Sequence, residues 1–464
     1  MKKFWLVLCS LSLMAVFTTP AAAVDVKFSG EFYVAGDYYN RTGAYDGRWS
    51  NDPIPVWIDT KASTAFFHQR LRMQTEFIVS PGLSLITRFD ALERLWGDSS
   101  WSGTRGGTFG RPSGSSGSGD RAQENIEFER AYIKYSSGKA GNFIVGYAPW
   151  GTWGTKFGDS DRSDATIQWS LLFGKWTVGA QYVKREDGST NYKTLGTGTG
   201  NRNDNDLDIY AVYWKYMRDN FDSGLKVAYI RDARGKGTSA PAAQETNGWI
   251  FTPYVIAQIG PVKLQGEVEY WRGRIEWVDE KATDIRALAA YGDARVAIGP
   301  AYVGGLFAYA SGNDAAKPNK KRSDIYYEYA WGGVDFKPTL ILWNEDITKW
   351  AGNITGLRNG MTNAKLYQIY AGVPVKDFDF KVSLSYARAN EINGHYTAPA
   401  PANIAKGPSY GWELDGTATY KITNNLSYMV GAGYLWTGNY FRPINETKSP
   451  KNFYLLTNKL TLTF

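Results

Sequence analysis

The chain has 464 residues, with 52 Lys and Arg against 45 Asp and Glu, a formal charge of +7, and aromatics at 15%. Its one cysteine, Cys9, lies near the start, so the rest of the chain offers no thiol, disulfide, Cys-based metal motif or haem-attaching Cys-x-x-Cys-His. The positive charge is not gathered into a basic cluster or a nucleic-acid fold motif, which argues against nucleic acid as a partner.

Residues 1–23 read as a secretory signal. Lys2 and Lys3 supply the positive start, Phe4 to Phe17 the apolar stretch, and Ala21, Ala22 and Ala23 the small residues for cleavage. A membrane-spanning helix needs about 20 apolar residues, and no segment reaches that length. Residues 24–464 are expected to form one domain in which apolar and polar residues alternate almost throughout. That period suits a sheet with lipid on one side and water on the other.

Strands are expected at Val26 to Tyr39, Thr64 to Val79, Leu83 to Trp96, Glu124 to Tyr135 and Asn142 to Pro149. Short turns follow at Pro81-Gly82, Ser136 to Gly141, Gly174, Asp219-Asn220, Gly260-Pro261, Gly299-Pro300, Lys376-Asp377 and Thr423 to Asn425. Longer loops alternate with them, at 97–120, 150–163, 186–204, 235–245, 311–362, 391–408 and 439–451. The fold expected is all-β, a transmembrane antiparallel β-barrel of about 18 strands (16–18 within the softness of such boundaries), with long outer loops and short periplasmic turns. A barrel of that size is expected to enclose an aqueous channel.

The hairpin from Trp412 carries the argument furthest. Trp412, Leu414, Gly416, Ala418 and Tyr420 fall on one face, and Glu413, Asp415, Thr417, Thr419 and Lys421 on the other. The two aromatics lie roughly 26 Å apart at about 3.3 Å per residue. A tilt of about 40° makes that close to the apolar band between aromatic girdles. A half-buried strand of a soluble sandwich explains the alternation but not aromatics at both ends. The last strand repeats the pattern, with Tyr454, Leu456, Leu460, Leu462 and Phe464 on one face.

The same parity turns Arg70, Arg72, Arg88, Asp90, Arg94, Glu267, Glu269, Lys381, Glu413 and Asp415 toward the lumen. Four of these arginines, on two strands joined by Pro81-Gly82, form a basic ladder suited to carboxylates, phosphates or anionic sugars. The competing reading pairs them with Asp90, Glu127 and Glu129 and makes them braces of the wall. The 311–362 loop is long enough to fold inward and narrow the channel, and its Lys320, Lys321, Arg322, Tyr326 and Tyr327 are candidates for an anionic or sugar ligand. The acidic run from Gly158 to Asp164 lacks the spacing of an EF-hand and reads as a solvated loop rather than a calcium site. His68 and His395 stand apart from any G-x-S-x-G motif, so no catalytic site, metal or cofactor is expected.

The stretch from Gly411 to Tyr440 resembles the last hairpin of the alginate-export family of outer-membrane porins. The resemblance rests on the acidic pair Glu413 and Asp415, the short Asn425-Leu426 turn and the ending Trp436, Gly438, Tyr440. The run His68-Gln69-Arg70-Leu71-Arg72 looks like that family's early strand of inward arginines. The resemblance implies a large single-chain barrel with a charged lumen in the outer membrane of a Gram-negative bacterium, reached through the periplasm and contacting lipid and lipopolysaccharide. Two functions follow as expectations. One is a porin passing small hydrophilic, anion-leaning solutes by diffusion, with a homo-oligomer left open. The other is a barrel that sheathes a partner, such as a multihaem cytochrome or polysaccharide export machinery.

Overall fold

In the computed structural model the described residues are 24–40, 63–97, 126–187, 205–237, 244–277, 281–313, 321–322, 335–344, 360–392, 405–442, 444, 447 and 449–464. The signal segment 1–23 and the ligand candidates Lys320, Tyr326 and Tyr327 lie outside them. Eighteen long strands run in chain order. They are β1 (Asp25–Tyr39), β2 (Thr64–Ser80), β3 (Leu83–Leu95), β4 (Ile126–Ser136), β5 (Asn142–Pro149) and β6 (Ser163–Phe173). Next come β7 (Trp176–Glu186), β8 (Leu207–Arg218), β9 (Phe221–Asp232), β10 (Gln244–Ile259), β11 (Val262–Trp277) and β12 (Thr283–Ile298). The ring is completed by β13 (Ala301–Ala310), β14 (Ala364–Val375), β15 (Phe378–Ala389), β16 (Ser409–Lys421), β17 (Leu426–Thr437) and β18 (Phe453–Thr463). A two-residue piece, Lys321–Arg322, pairs in parallel with Asp284 and Ile285 of β12.

Each long strand pairs antiparallel with the next, and β1 closes the ring on β18 through the register Glu31↔Thr463 to Tyr39↔Leu455. Closure leaves no unpaired edge, the condition for burying strands in lipid. The backbone of Phe464 exchanges hydrogen bonds with Gly30, at 2.8 and 3.1 Å, so the final residue is part of the seam. Turns of a few residues join the strands at one end of the barrel, and the longer connections lie at the other.

The outward face is apolar, as the alternation requires. Trp412, Leu414, Tyr420, Tyr428, Val430, Trp436, Leu456, Leu460 and Leu462 are all exposed there. A lipid-facing Arg at mid-height costs about 2–4 kcal/mol, which explains why the ionisable partners of the same strands turn inward. The interior departs from the expected open channel. At the loop end it is packed with apolar side chains in two clusters. One gathers Trp150, Leu207, Ile230, Ile275 and Ile285. The other gathers Tyr39, Trp343, Leu366, Tyr410, Phe441 and Leu455. The cause is that connections fold into the barrel mouth and bring their own hydrophobic residues with them.

Candidate functional site

Two inward segments shape the lumen. The first, residues 150–162, joins β5 to β6. It was expected as an outer loop with a solvated acidic run, but Trp150, Trp153 and Phe157 are buried, at 2%, 3% and 1% exposure. Its middle rests on the carboxylate of Glu267 in β11, whose Oε2 accepts hydrogen bonds from the Thr155 N–H at 2.7 Å and the Thr155 hydroxyl at 2.5 Å. Glycine is required here. Gly154 has φ +64°, and a Cβ on it would come within 2.6 Å of Glu267 Oε1. A Cβ on Gly158 would collide with the carboxylates of both Glu267 and Glu269. The Trp153 indole N–H donates to the carbonyl of Thr252 at 2.8 Å. The β10–β11 ladder is interrupted at Thr252 and Pro253, where proline has no N–H to give.

The far end of this segment carries Asp161 to an arginine cluster. Its Oδ2 lies 2.7 Å from Arg88 Nη2 and 3.2 Å from Arg72 Nη1, and its Oδ1 takes a short contact from Arg130 Nη2. Arg88 on β3 and Glu267 on β11 stand eight strands apart in a ring of eighteen, so the segment crosses the lumen almost along a diameter. Burial alone would raise the Asp161 carboxyl, but the hydrogen bond and charge of Arg88, with Arg130 and Arg72, hold it below the usual aspartate value. Asp159 two residues away moves the other way, raised by burial and by the charge of Asp335.

The wall arginines also have fixed partners. Arg72 forks onto Asp90 with two 2.7 Å bonds and onto Glu129 at 2.9 and 3.0 Å. Arg88 meets Glu129 at 2.7 Å, and Arg70 lies 3.4 Å from Glu31 and 3.8 Å from Glu93. Arg88 is only 7% exposed, and its Nε has no hydrogen-bond partner.

Two β-bulges decide who belongs to this cluster. The β3–β4 register shifts between Arg88 and Phe89, so Arg88 faces Arg130 while Phe89 faces Phe128. The shift turns Arg130 inward with Glu129, although simple alternation from Phe128 would send it to lipid. In β3, Leu92 takes φ 52° and the register with β2 slips beyond Ala91, so Glu93 lies beside Arg70 and Arg94 pairs with Gln69. Arg94 therefore leaves the inward ladder that parity assigned to it. Gln69 belongs to the same outward row as Phe67 and receives the Trp96 indole at 2.7 Å.

The second inward segment, residues 335–344, lies against the opposite wall. Glu413 of β16 is fully buried and accepts the N–H groups of Ile341 at 2.6 Å and Leu342 at 3.0 Å. Asp415 accepts Leu340 N–H at 3.4 Å, and Gln368 of β14 donates to the Pro338 carbonyl at 2.7 Å. Trp343 packs edge-on to Tyr410, with ring centroids 5.6 Å apart. Glu267, Glu269, Glu413 and Asp415, expected to line the pore, are thus covered by chain. Lys381, in contrast, is exposed, with its ammonium 5.4 Å from the Tyr370 ring centroid.

The two segments meet. The Asp161 N–H donates to Asp335 Oδ2 at 3.0 Å, and Phe157 packs edge-on to Phe336 with centroids 5.1 Å apart. No family model matches the sequence, and no curated protein does. Solved structures do. OccAB2 of Acinetobacter baumannii is 11% identical, with a TM-score of 0.50, over 94% of this chain and 98% of its own. A BenF-like porin from Pseudomonas fluorescens Pf-5 is 10% identical, also with a TM-score of 0.50, over 94% of this chain and 98% of its own. The chain has the fold of these barrels. At that identity the likeness is one of fold, and the roles of individual residues rest on the geometry above.

Sequence reasoning identified Arg70, Arg72, Arg88 and Asp90 from parity, and the structure brings them together. It missed Arg130 and Asp161. Arg130 is hidden by a bulge that alternation does not reveal. Asp161 stood in a run that read as a solvated loop, and the signal that could have moved it inward was the aromatic spacing of Trp150, Trp153 and Phe157 just before it.

Proposed function

We propose that the protein is an outer-membrane channel through which small hydrophilic solutes diffuse, with a preference for anions. The observation that carries this reading is the closed barrel whose lumen holds ionisable groups at the crossing segment, with Arg72, Arg88 and Arg130 converging on the water-accessible Asp161, which is 43% exposed. Lys263, Lys381 and Asp379 continue an exposed polar path toward the turn end. The segments 150–162 and 335–344 narrow the passage, which sets a size limit on what crosses. Lipid and lipopolysaccharide contact the apolar outer face in this reading.

The sheath reading needs a lumen free to receive a partner, and the two inward segments occupy that space. Alginate, a long polyanion, would need a dense lining of unpaired arginines. The pairing of Arg72 with Asp90 and Glu129 favours small anions instead, because a long polyanion needs an extended row of unmatched cations. The test is planar-bilayer conductance of the refolded chain, with the reversal potential read under a salt gradient. Steady open-channel current with an anion-leaning potential is expected. A folded, heat-modifiable barrel that carries no current would sink the channel reading.

A further inference from the structure

The inward segment completes the arginine cluster by bringing a carboxylate to three guanidiniums at once. Of the three guanidiniums that meet Asp161, Arg72 and Arg88 also meet the wall carboxylates Asp90 and Glu129. The third carboxylate is Asp161, and it comes from a connection rather than from a strand. Without it the Arg130 guanidinium would lose the carboxylate that meets it, in a cluster where Arg88 and Arg130 are more than nine-tenths buried. An unpaired buried charge is strongly unfavourable, so the vacated site would take up an anion. Arg88 Nε, buried and without a partner, adds a donor that the resident carboxylate leaves unused.

We propose that the Asp161 carboxylate occupies the binding position of a solute carboxylate, and that a small organic carboxylate displaces it as it passes. The inference deepens the channel reading and rests on it. Displacement is feasible because Asp161 is the one member of the cluster open to water on nearly half its side chain, while Asp90 is 3% exposed. It has a structural consequence. The same residue's N–H holds Asp335 of the second inward segment, so releasing Asp161 loosens the junction between the two segments that cross the lumen. Binding of the solute and widening of its path are therefore one event. A carboxylate is favoured over other anions because the cluster is already shaped around two carboxylate oxygens, Oδ1 on Arg130 and Oδ2 on Arg88 and Arg72.

The experiment compares the full-length folded protein with Asp161→Asn and Asp161→Glu in two ways. Equilibrium titration with acetate in detergent reads binding without requiring conduction, with chloride and inorganic phosphate as comparison anions. Single-channel recording then reads acetate permeability and dwell times. A tethered competitor acts at an effective concentration in the millimolar range, so Asp161→Asn is expected to bind acetate about tenfold tighter. Its permeability ratio should shift toward anions, and Asp161→Glu should restore the parent behaviour. Conduction by the parent together with unchanged acetate affinity in Asp161→Asn would overturn the displacement idea while leaving the channel intact. Absence of current in both proteins, with acetate still bound more tightly by the variant, would overturn the channel and keep the anion site. Equal strengthening toward phosphate and acetate would overturn the carboxylate assignment.

Discussion

On the β2–β4 wall, segment 150–162 is held by ions that water can reach, whereas on the β14–β17 wall segment 335–344 is held by backbone N–H groups on a carboxylate with no exposure at all. The first arrangement spreads one loop carboxylate over three guanidiniums, two of which also meet wall carboxylates, so it can exchange for another anion. The second leaves nothing to exchange, since the N–H donors of Ile341 and Leu342 have no water to fall back on. Both use an acid, yet one end behaves as a latch and the other as an anchor. Burial makes the difference, not the residue type.

The strongest way to break this comparison is to remove the anchor. Glu413→Ala orphans two buried N–H groups at a cost of about 1–3 kcal/mol each. Segment 335–344 should then detach and open-channel conductance should rise several-fold. A parent-like conductance would mean that the packing of Trp343 and Phe336, with the bonds of Asp415 and Gln368, is enough to hold the segment. Thr155→Val should act more mildly on the crossing segment. It removes the hydroxyl from Glu267 and keeps the N–H, a loss of about 1 kcal/mol for a single hydrogen bond. Frequent brief openings are expected in the current trace, and a quiet trace would count against Glu267 as a support.

Acid tests the latch. The Asp161 carboxyl is held below the ordinary aspartate value of about 3.9, so its contribution is complete above that value. It is lost only as pH falls through the lower, folded-state value. The part of the conductance that Asp161 controls should therefore stay constant from neutral pH to about 4 and change only in stronger acid. A transition near pH 6 would place control elsewhere. The smallest effect tests the bulge at Leu92. Arg94→Gln should leave the reversal potential unchanged, while Arg130→Gln should move it toward cations. The reverse pattern would restore Arg94 to the lumen and remove Arg130 from it.

Alternation, with aromatics at both ends of the apolar rows, determined that this chain is a lipid-embedded barrel, because a residue that faces hydrocarbon must be apolar and its neighbour need not be. The outward rows Trp412 to Tyr420 and Tyr428 to Trp436 could be read off with certainty of side, and with them the inward arginines of β2 and the first part of β3. Alternation fails where the ladder slips, which is why Arg94 and Arg130 exchanged sides relative to their parity. It is silent on where a connection goes once it leaves the sheet. The tertiary structure decided that residues 150–162 cross the lumen and that residues 335–344 line its far wall. Those paths depend on supports that stand on other strands, Glu267 of β11 for the first and Glu413 of β16 for the second, and no local pattern carries the position of a residue elsewhere on the ring.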